Sequence, residues 1–537
     1  MRKILSTQRP GIELTMVLII MGMVTAISLA LLQLVSSQNV LSNREIRQQQ
    51  IAQIAEAGIN YYRWHLAHYP SDYKDGTATA GPYVHDFKDS TSKTIGRYEL
   101  TITAPATGST IATVRSSAYL LTQPNARHTV TAKLGIPSLS KYAVVANANM
   151  RFGAGTETFG PIHSNGGIHY DGIAHGLVSS AQTTYTDPDG YGTKSGVWSL
   201  NSDAVTFLGG KQVGVPPIDF AGITVDLAKL QTAAQSTGIY LAPSTKLGYH
   251  LTLKTNGTVD MKIVKVEQSC QFKSGTQWYT YGYCSNNYNN TCTQSSDCGS
   301  GNSCITSTHS VGTKVSSPAQ ATDDEVSFTY NGGSSLGVTL PANGIIFASD
   351  NVWVDGTINN ARITIAAAKD PLASGKADIY LNKDLKYTNY NGQDVVGLIA
   401  QNDVLAGYFS NDTLQIDAAI IAQNGRVGRP YFGSNFTSSV SSGNFRITPS
   451  GENNPSGTST CQEYRKRTTL TLNGSLATNQ RYGFAWTGNA TFSCGGGLTN
   501  DSGYCTRNLN FDNNLVYAPP PLFPTSGEYS IISYTEQ

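Results

Sequence analysis

The N-terminal stretch of the chain decides how the fold begins. Residues 1–37 read MRKILSTQRPGIELTMVLIIMGMVTAISLALLQLVSS. Basic residues at positions 2, 3 and 9 precede Gly11, and an uncharged apolar run extends from Leu14 to Val35. Because a helix of about 20 apolar residues is long enough to cross a bilayer, this run predicts one transmembrane helix over residues 14–35.

The same helix is predicted to continue beyond the membrane, because no proline interrupts the chain between Pro10 and Pro70. Apolar side chains recur at helical spacing along this second half. They are Ile51, Ile54, Ala55, Ile59, Tyr62 and Leu66. The stripe predicts that another element covers this face of the helix.

The charges around the apolar run predict its orientation. Three basic residues precede it, whereas Arg44, Glu45 and Arg47 behind it form a mixed group. The positive-inside rule therefore places the N-terminus in the cytoplasm and about 500 residues outside. A cleaved secretory signal is the alternative, but its apolar region is usually shorter and ends at a small-residue site.

The composition favours a β-rich protein outside the cytoplasm. The 537 residues include 53 glycines and 29 tyrosines, and only 14% are charged. The formal net charge of +1 provides no long-range field for nucleic acid, so no nucleic-acid partner is expected. A chain of this length is expected to form two to four domains.

Period-two patterns predict strands behind the helix. Leu100 to Ile102, Ile111 to Tyr119 and Val130 to Leu134 read as three antiparallel strands that end at Gly135. A small sheet of this kind would cover the apolar stripe of the helix. The predicted fold is therefore mainly β with one long N-terminal α-helix that lies on an antiparallel sheet.

The leader and the segment IAEAGINYYRWHL (Ile54 to Leu66) carry a resemblance to a known family. A basic leader, a glycine and an apolar helix resemble a type IV prepilin, and this segment is similar to the helix end of the PilX-like minor pilins. The resemblance covers about the first 135 residues. It implies cleavage between Gly11 and Ile12, residence in the bacterial inner membrane, and assembly with other pilins or the pilus machinery.

The chain departs from the pilin pattern at one position. If cleavage follows Gly11, the glutamate that pairs with a neighbouring subunit in this family would fall on Met16. Glu13 is the nearby acid, and it either plays that part from a shifted position or lies among the lipid headgroups. Gly22 would allow a neighbouring helix to approach closely.

Short apolar stretches separated by turn residues recur between residues 141 and 440. Their spacing predicts coils of a parallel β-helix that stack apolar residues inward, with a β-sandwich as the alternative. Asp226 to Gln235 is predicted as a helix, and Asn256-Gly257 as the turn of a hairpin. The segment GPIHSNGGIHYDG also resembles β-helical ectodomains attached to PilX-like helices.

These patterns predict five regions. They are a leader (1–11), the long helix (12–70), a pilin-like β subdomain (71–140), a β-helix-like ectodomain (141–440) with a cysteine-rich insertion (266–325), and a C-terminal β or irregular region (441–537).

The eight cysteines predict disulfides in an oxidising compartment. They are Cys270, Cys284, Cys292, Cys298, Cys304, Cys461, Cys494 and Cys505. Four of them lie in a polar segment that has little apolar surface to bury, and zinc is disfavoured because no Cys-x-x-Cys pair occurs. Five cysteines fall in the first cluster and three in the second. Either one bridge joins the clusters, with Cys270–Cys461 as the candidate, or each cluster keeps a free thiol.

Candidate metal ligands are few. His163, His169 and His175 are six residues apart and could lie on one face of a single extended run, although histidines that bond to the backbone at corners are more common. Asp187 to Gly190 forms part of a calcium loop but lacks the closing glutamate, so a surface turn is favoured. We therefore predict no metal site and no cofactor.

Two charged runs and five scattered acids are the remaining candidates for a functional site. Asp323 to Glu325 is expected to be a solvated loop. Arg465 to Arg467, beside Tyr464, could contact DNA or an acidic polysaccharide but is expected to be an exposed strand face. Polysaccharide-active β-helical enzymes need paired carboxylates on adjacent coils, whereas the acids here are spread over turns. They are Asp350, Asp355, Asp394, Asp403 and Asp417.

These observations predict a non-enzymatic, single-pass membrane protein with its C-terminal part outside the cytoplasm. It would be a minor pilin or a cell-surface adhesin whose β-rich domain binds a surface glycan or a protein. The alternative is a β-helical envelope protein permanently tethered by its helix, and a polysaccharide-active enzyme is disfavoured.

Overall fold

The computed structural model divides the chain into two compact units. Unit 1 comprises residues 1–105, 111–135 and 528–537, and unit 2 comprises 106–110 and 136–527. The structure describes residues 12–106, 108–220, 226–265, 269–274, 277–280, 282–284, 287–292, 304–306, 325–407, 409–430, 445–448, 464–487, 492–525 and 528–536. For 269–306 and 445–448, the backbone strands alone are described.

Unit 1 is built on the long helix α1, Ile12–His68, which the sequence predicts. The six residues of the predicted apolar stripe are all buried. They pack on an antiparallel sheet in the order β1-β2-β3-β4-β43. Its strands are β1 (Tyr83–Lys88), β2 (Thr94–Thr103), β3 (Ile111–Leu120), β4 (Gln123–Gly135) and the C-terminal β43 (Ser530–Glu536).

The predicted mainly β fold with a long helix on an antiparallel sheet is therefore confirmed. The three predicted strands correspond to β2, β3 and β4, and Leu100, Val114 and Ala132 turn their side chains into the core. The outer strands β1 and β43 complete the sheet on either side.

The described part of unit 2 contains three long ladders of parallel strands, which we call ladders A, B and C. Ladder A runs in the order β16 (Ile239–Leu241), β28 (Ile345–Ala348), β30 (Arg362–Ala367), β33 (Val395–Ala400), β35 (Thr413–Ala422), β38 (Lys466–Thr478), β5 (Val144–Ala146), β8 (Ile162–Ser164), β11 (Val178–Ser180) and β15 (Lys211–Val213).

Ladders B and C accompany ladder A. Ladder B joins β17 (Gly248–Leu253), β29 (Asn351–Ile358), β31 (Ile379–Tyr380), β34 (Val404–Leu405) and β36 (Val427–Gly428). Ladder C joins β29, β32 (Leu385–Tyr387), β35, β38, β42 (Ser502–Phe511), β7 (Thr156–Phe159) and β10 (Ile173–Ala174). A smaller parallel sheet joins β6 (Met150–Phe152), β9 (Ile168–Tyr170) and β14 (Val197–Trp198). The strands of ladders A, B and C pair in parallel, whereas the strands within each sheet of a β-sandwich are antiparallel.

The core of unit 2 follows ladder A. One column of buried apolar residues passes from strand to strand in exact register. Its members are Ile239, Ile346, Ile365, Leu398, Ile420, Leu476, Val144, Ile162 and Val178. The column joins Leu476 to Val144, so the first strands of unit 2 in the sequence pair with strands near its end. We call this junction the seam.

Smaller elements complete the described part of unit 2. The predicted helix is α3 (Leu227–Thr237), and the Asp226 carboxylate caps it by accepting a hydrogen bond from Lys229 N at 2.9 Å. The predicted hairpin pairs β17 with β18 (Thr258–Val264) around Gly257.

The remaining elements are short. They are α2 (Asp203–Thr206), β12 (Thr184–Asp187), β13 (Gly192–Ser195), β19 (Ser269–Ser274), β20 (Gln277–Thr280), β21 (Gly282–Cys284), β22 (Asn287–Cys292), β23 (Cys304–Thr306), β24 (Glu325–Val326), β25 (Thr329–Tyr330), β26 (Gly333–Ser334), β27 (Val338–Thr339), β37 (Phe445–Thr448), β39 (Ala485–Trp486), β40 (Phe492–Gly495) and β41 (Leu498–Asn500).

The C-terminal region differs from the sequence-based expectation of a separate segment over 441–537. Its strands β38 and β42 belong to the parallel ladders of unit 2, and β43 belongs to the sheet of unit 1. The reason is that each sheet needs these strands to cover an edge that earlier residues leave open.

Candidate membrane-anchoring and assembly site

The first half of α1 presents a long apolar surface. Its large apolar side chains from Leu14 to Ile46 are exposed, and Leu14 is the most open of them at 69%. Among the described residues, α1 is the helix that is long and apolar enough to cross a membrane, by length and composition. A continuous apolar surface of this length requires lipid or other protein around it.

The predicted site residues of this half lie at its start. Gly11 and the side chain of Ile12 fall outside the described part of the chain, so the cleavage site stays a prediction. Glu13 lies exposed in the first turn of α1, where the helix dipole stabilises a carboxylate. A Cβ at Gly22 would meet nothing within 4 Å, so this glycine leaves an open notch on the helix surface.

The second half of α1 is held tightly by its own sheet. A Cβ at Gly58 would lie 2.3 Å from the Ser116 Oγ, 2.9 Å from the Tyr98 Cδ2 and 3.2 Å from a Leu100 methyl. These distances are shorter than van der Waals contact, so only glycine lets α1 approach β2 and β3 this closely. Gly58 lies inside the segment IAEAGINYYRWHL. The resemblance rests partly on this glycine, but the sequence alone does not reveal its contact.

Hydrogen bonds fasten the end of α1 to the chain that follows it. Tyr62 donates to the carbonyl oxygen of Asp72 at 2.8 Å, and the His65 Nε2 lies 2.9 Å from the Asp72 carboxylate. The backbone N–H groups of Lys74 and Gly76 also donate to this carboxylate, and with His65 they hold the pKa of Asp72 below its usual range. The exposed half of the helix therefore continues into a rigidly docked half.

The three predicted histidines lie on separate segments rather than on one extended run, which corrects the sequence interpretation. His163 is buried on β8, where it contacts Ser179 Oγ at 3.0 Å, and burial lowers its pKa. His175 follows β10 and lies 2.7 Å from a Glu157 oxygen. His169 is buried on β9. The strands turn between these positions, so equal spacing in sequence does not place them on one face.

The Asp187-Pro188-Asp189-Gly190 segment forms the turn between β12 and β13, as the turn interpretation predicts. Gly190 adopts a φ of +89°, which favours glycine. Asp187 is nevertheless buried rather than solvated, because the turn folds onto neighbouring strands.

The charged runs differ from their predicted exposure. Glu325 is buried on β24, where it accepts a hydrogen bond from the His250 Nδ1 at 2.8 Å. Asp323 and Asp324 lie outside the described residues. Arg465 and Arg467 are also buried, whereas Lys466 between them is exposed. The Arg465 guanidinium pairs with Asp501. Charges that pair inside the fold escape a prediction based on local composition.

One disulfide between two of the candidate cysteines lies within the described residues. Cys494 on β40 bonds to Cys505 on β42. Cys270, Cys284, Cys292 and Cys304 lie on described backbone strands, but their sulfur atoms fall outside the described part, as do Cys298 and Cys461. The Cys494–Cys505 bond leaves Cys461 as the remaining cysteine of the second cluster, and the Cys270–Cys461 bridge stays a prediction.

The scattered acids of unit 2 support turns between strands. Asp394 accepts hydrogen bonds from the backbone N–H groups of Thr388 and Asn389 at 3.1 and 2.7 Å. Asp417 accepts hydrogen bonds from Tyr387 N and the Tyr390 hydroxyl. Carboxylates that terminate several hydrogen bonds hold their coils in place.

Comparisons with known proteins give little further information. No protein-family model and no curated protein matches the chain. Among solved structures, it matches the competence-associated pilin ComZ from Thermus thermophilus at 12% identity. The match covers 91% of this chain and 97% of that chain, with a TM-score of 0.27. A TM-score this low does not establish a shared fold.

Proposed function

We propose that this protein is a membrane-anchored, pilus-associated minor pilin of the PilX-like kind. Its parallel stack acts as a β-helical, non-enzymatic ectodomain that binds a surface glycan or a protein outside the cell. The observation that carries the proposal is the division of α1 into an exposed apolar half and a half buried in its own sheet.

The geometry of α1 supports this role. A helix of 57 residues is about 85 Å long at about 1.5 Å per residue, which exceeds the roughly 30 Å of a bilayer core. The part beyond the membrane is docked through Gly58 and Tyr62. A force on the apolar half of α1, or a displacement of that half, is therefore transmitted to a folded unit rather than to a flexible linker.

The assembly contacts follow from the same surface. Glu13 in the first turn and the open notch at Gly22 are the proposed contacts with other pilins or with the assembly machinery. The apolar half of α1 lies in the bacterial inner membrane before assembly, with the sheet of unit 1 and all of unit 2 outside the cytoplasm. Adhesion is the proposed task of unit 2, and Asp394 and Asp417 at its turns accept hydrogen bonds that support the structure.

The alternative is a β-helical envelope protein that stays permanently tethered by α1. Met16 favours it, because this exposed side chain stands where a standard filament subunit carries its glutamate. The two functions differ in processing. A pilin has a mature N-terminus at Ile12, whereas a permanent tether keeps Met1.

Mass spectrometry of the native N-terminus, combined with a Gly11→Val variant, tests the proposal. We expect the wild-type protein to begin at Ile12 and to appear in sheared filament fractions, and the Gly11→Val protein to stay unprocessed in the membrane. Thr7→Val is the matched control, because it adds the same side chain to the leader and keeps Gly11. Finding the Gly11→Val protein in the filament fraction would refute the pilin function. This result would not support a permanent membrane tether or an adhesin either.

A further inference from the structure

The turn between β12 and β13 brings two aspartates onto a buried histidine. One ligand atom from each of His169, Asp187 and Asp189 lies within 4.8 Å of the others. His169 is 1% exposed and Asp187 is 3% exposed. These residues are up to 20 positions apart, so the fold, not a local motif, assembles the cluster.

The Nδ1 of His169 is buried and has no hydrogen-bond partner among the described residues. Its Nε2 lies 2.9 Å from an Asp171 oxygen, whereas Nδ1 lies 3.5 Å from the nearest Asp187 oxygen. A buried polar group without a hydrogen bond costs about 1–3 kcal/mol. The imidazole therefore has a free coordination position on a side where carboxylates already lie.

The two sides of the ring have different surroundings. Asp171 faces Nε2, and the N–H of Leu200 donates to its carboxylate at 2.9 Å. An Asp187 oxygen lies 3.5 Å from Nδ1, and an Asp189 oxygen lies within 4.8 Å of a ring nitrogen and of Asp187. Histidines that bind a metal through one nitrogen usually contact a carboxylate with the other. Asp171 is therefore placed as a positioning residue, and Asp187 and Asp189 are placed as ligands.

Aromatic side chains enclose the cluster. The Trp198 ring stacks on the His169 ring with centroids 3.9 Å apart, and the Tyr191 ring meets it edge-on at 5.1 Å. The Tyr185 hydroxyl donates to the Asp187 carboxylate at 2.9 Å. This packing fixes the imidazole and keeps bulk water away from one side of the ring.

Two arginines compete for the same carboxylates. Arg481 contacts both Asp189 oxygens at 3.0 and 2.6 Å, and Arg151 lies 3.2 Å from one of them. Three carboxylates and two guanidiniums leave a formal charge of −1 when the imidazole is neutral. A cation must therefore displace Arg481, whose side chain is 39% exposed and can turn into solvent.

We propose that His169, Asp187 and Asp189 bind one divalent transition-metal ion, with Asp171 positioning the imidazole. One imidazole nitrogen with carboxylate oxygens suits Zn²⁺ and Co²⁺, and water completes the coordination. The bound ion ties the β12–β13 turn to β9. Arg481 limits the affinity by holding Asp189 when no metal is bound.

The test is a titration of the full-length protein in detergent. After treatment with a chelator and dialysis under non-reducing conditions, Zn²⁺ binding is measured by calorimetry, and the bound metal by mass spectrometry. We expect one ion per chain. His169→Gln and Asp187→Asn should abolish the binding, and Asp171→Asn should weaken it about tenfold, as loss of an orienting carboxylate does.

The Arg481→Gln variant distinguishes a metal site from a cluster of ion pairs. Removing the competing guanidinium should tighten Zn²⁺ binding about tenfold, because the Asp189 carboxylate no longer has to release a partner. His175→Gln is the matched control, because that histidine also contacts a carboxylate, Glu157, at 2.7 Å. It should leave the Zn²⁺ affinity unchanged.

A second measurement guards against misfolded variants and against cysteine-bound zinc. Co²⁺ bound by nitrogen and oxygen lacks the intense near-ultraviolet charge-transfer band of Co²⁺–thiolate, and circular dichroism reports folding. The proposal would be overturned if neither the wild-type nor the Arg481→Gln protein binds Zn²⁺. Unchanged Zn²⁺ binding by a folded His169→Gln protein would also overturn it.

Discussion

Gly58 provides the sharpest test of how α1 is held on its sheet. An alanine there would place its Cβ 2.3 Å from the Ser116 Oγ, and Ser116 is fully buried. Overpacking costs up to about 3 kcal/mol, and alanine returns about 1 kcal/mol of helix propensity relative to glycine. We therefore expect Gly58→Ala to destabilise the docked half of α1 by about 2 kcal/mol.

Hydrogen exchange measured by mass spectrometry on the full-length protein reports this change. A loss of about 2 kcal/mol corresponds to a roughly 30-fold decrease in the protection of amides in residues 51–66. Gly22→Ala is the control on the same helix, because a Cβ there meets no atom within 4 Å. It should leave protection in residues 51–66 unchanged.

A compensating substitution makes the test specific. The Ser116 Oγ has no hydrogen-bond partner in the described residues, so Ser116→Ala removes the nearest clashing atom without removing a hydrogen bond. Combined with Gly58→Ala, it should restore most of the lost protection, which a double-mutant cycle quantifies. Wild-type protection in the Gly58→Ala protein would refute the close approach of helix and sheet.

Three further predictions concern unit 2. Burial lowers the pKa of His250, but hydrogen bonds to Asp355 and Glu325 outweigh it and raise this pKa from 6.5 to about 9. The resulting stabilisation is complete below pH 6.5 and is lost as the pH rises through about 9, so thermal unfolding should show a slope there that His250→Gln lacks. Opening the Cys494–Cys505 loop, which spans 11 residues, with Cys505→Ser should lower the unfolding free energy by about 3 kcal/mol in denaturant titrations; no change would contradict the bond. Leu476→Ala at the seam should lower the free energy of unfolding by about 2–5 kcal/mol. A smaller decrease than that caused by Leu398→Ala would show that the seam is packed less tightly than the rest of ladder A.

The sequence predicts those elements whose signal is local. The stripe from Ile51 to Leu66 is periodic, and each of its residues is buried where the period places it. The capped helix at Asp226 and the turn at Gly257 were also predictable, because a single residue type determines each of them. These features need no knowledge of distant residues.

Distant partners explain what the sequence does not predict. Strand β43 alternates weakly and is mostly exposed, so only its pairing with β4, about 400 residues earlier, identifies it. Glu325 and Arg465 are charged yet buried, because His250 and Asp501 neutralise them. The turn at Asp187 to Gly190 is predictable, but its contact with His169 on β9 is not, because the two lie on separate segments.

The seam has a consequence for how the chain is made. The strand that carries Val144 emerges from the ribosome first, but its neighbour in ladder A carries Leu476 and is synthesised more than 300 residues later. The apolar residues of the earlier strands therefore lack their packing partners during synthesis, which slows folding and calls for protection from aggregation. The sheet of unit 1 likewise awaits β43. The strands β42 of unit 2 and β43 of unit 1 both lie beyond residue 500, so a product truncated before them carries two unfinished units that quality control can recognise.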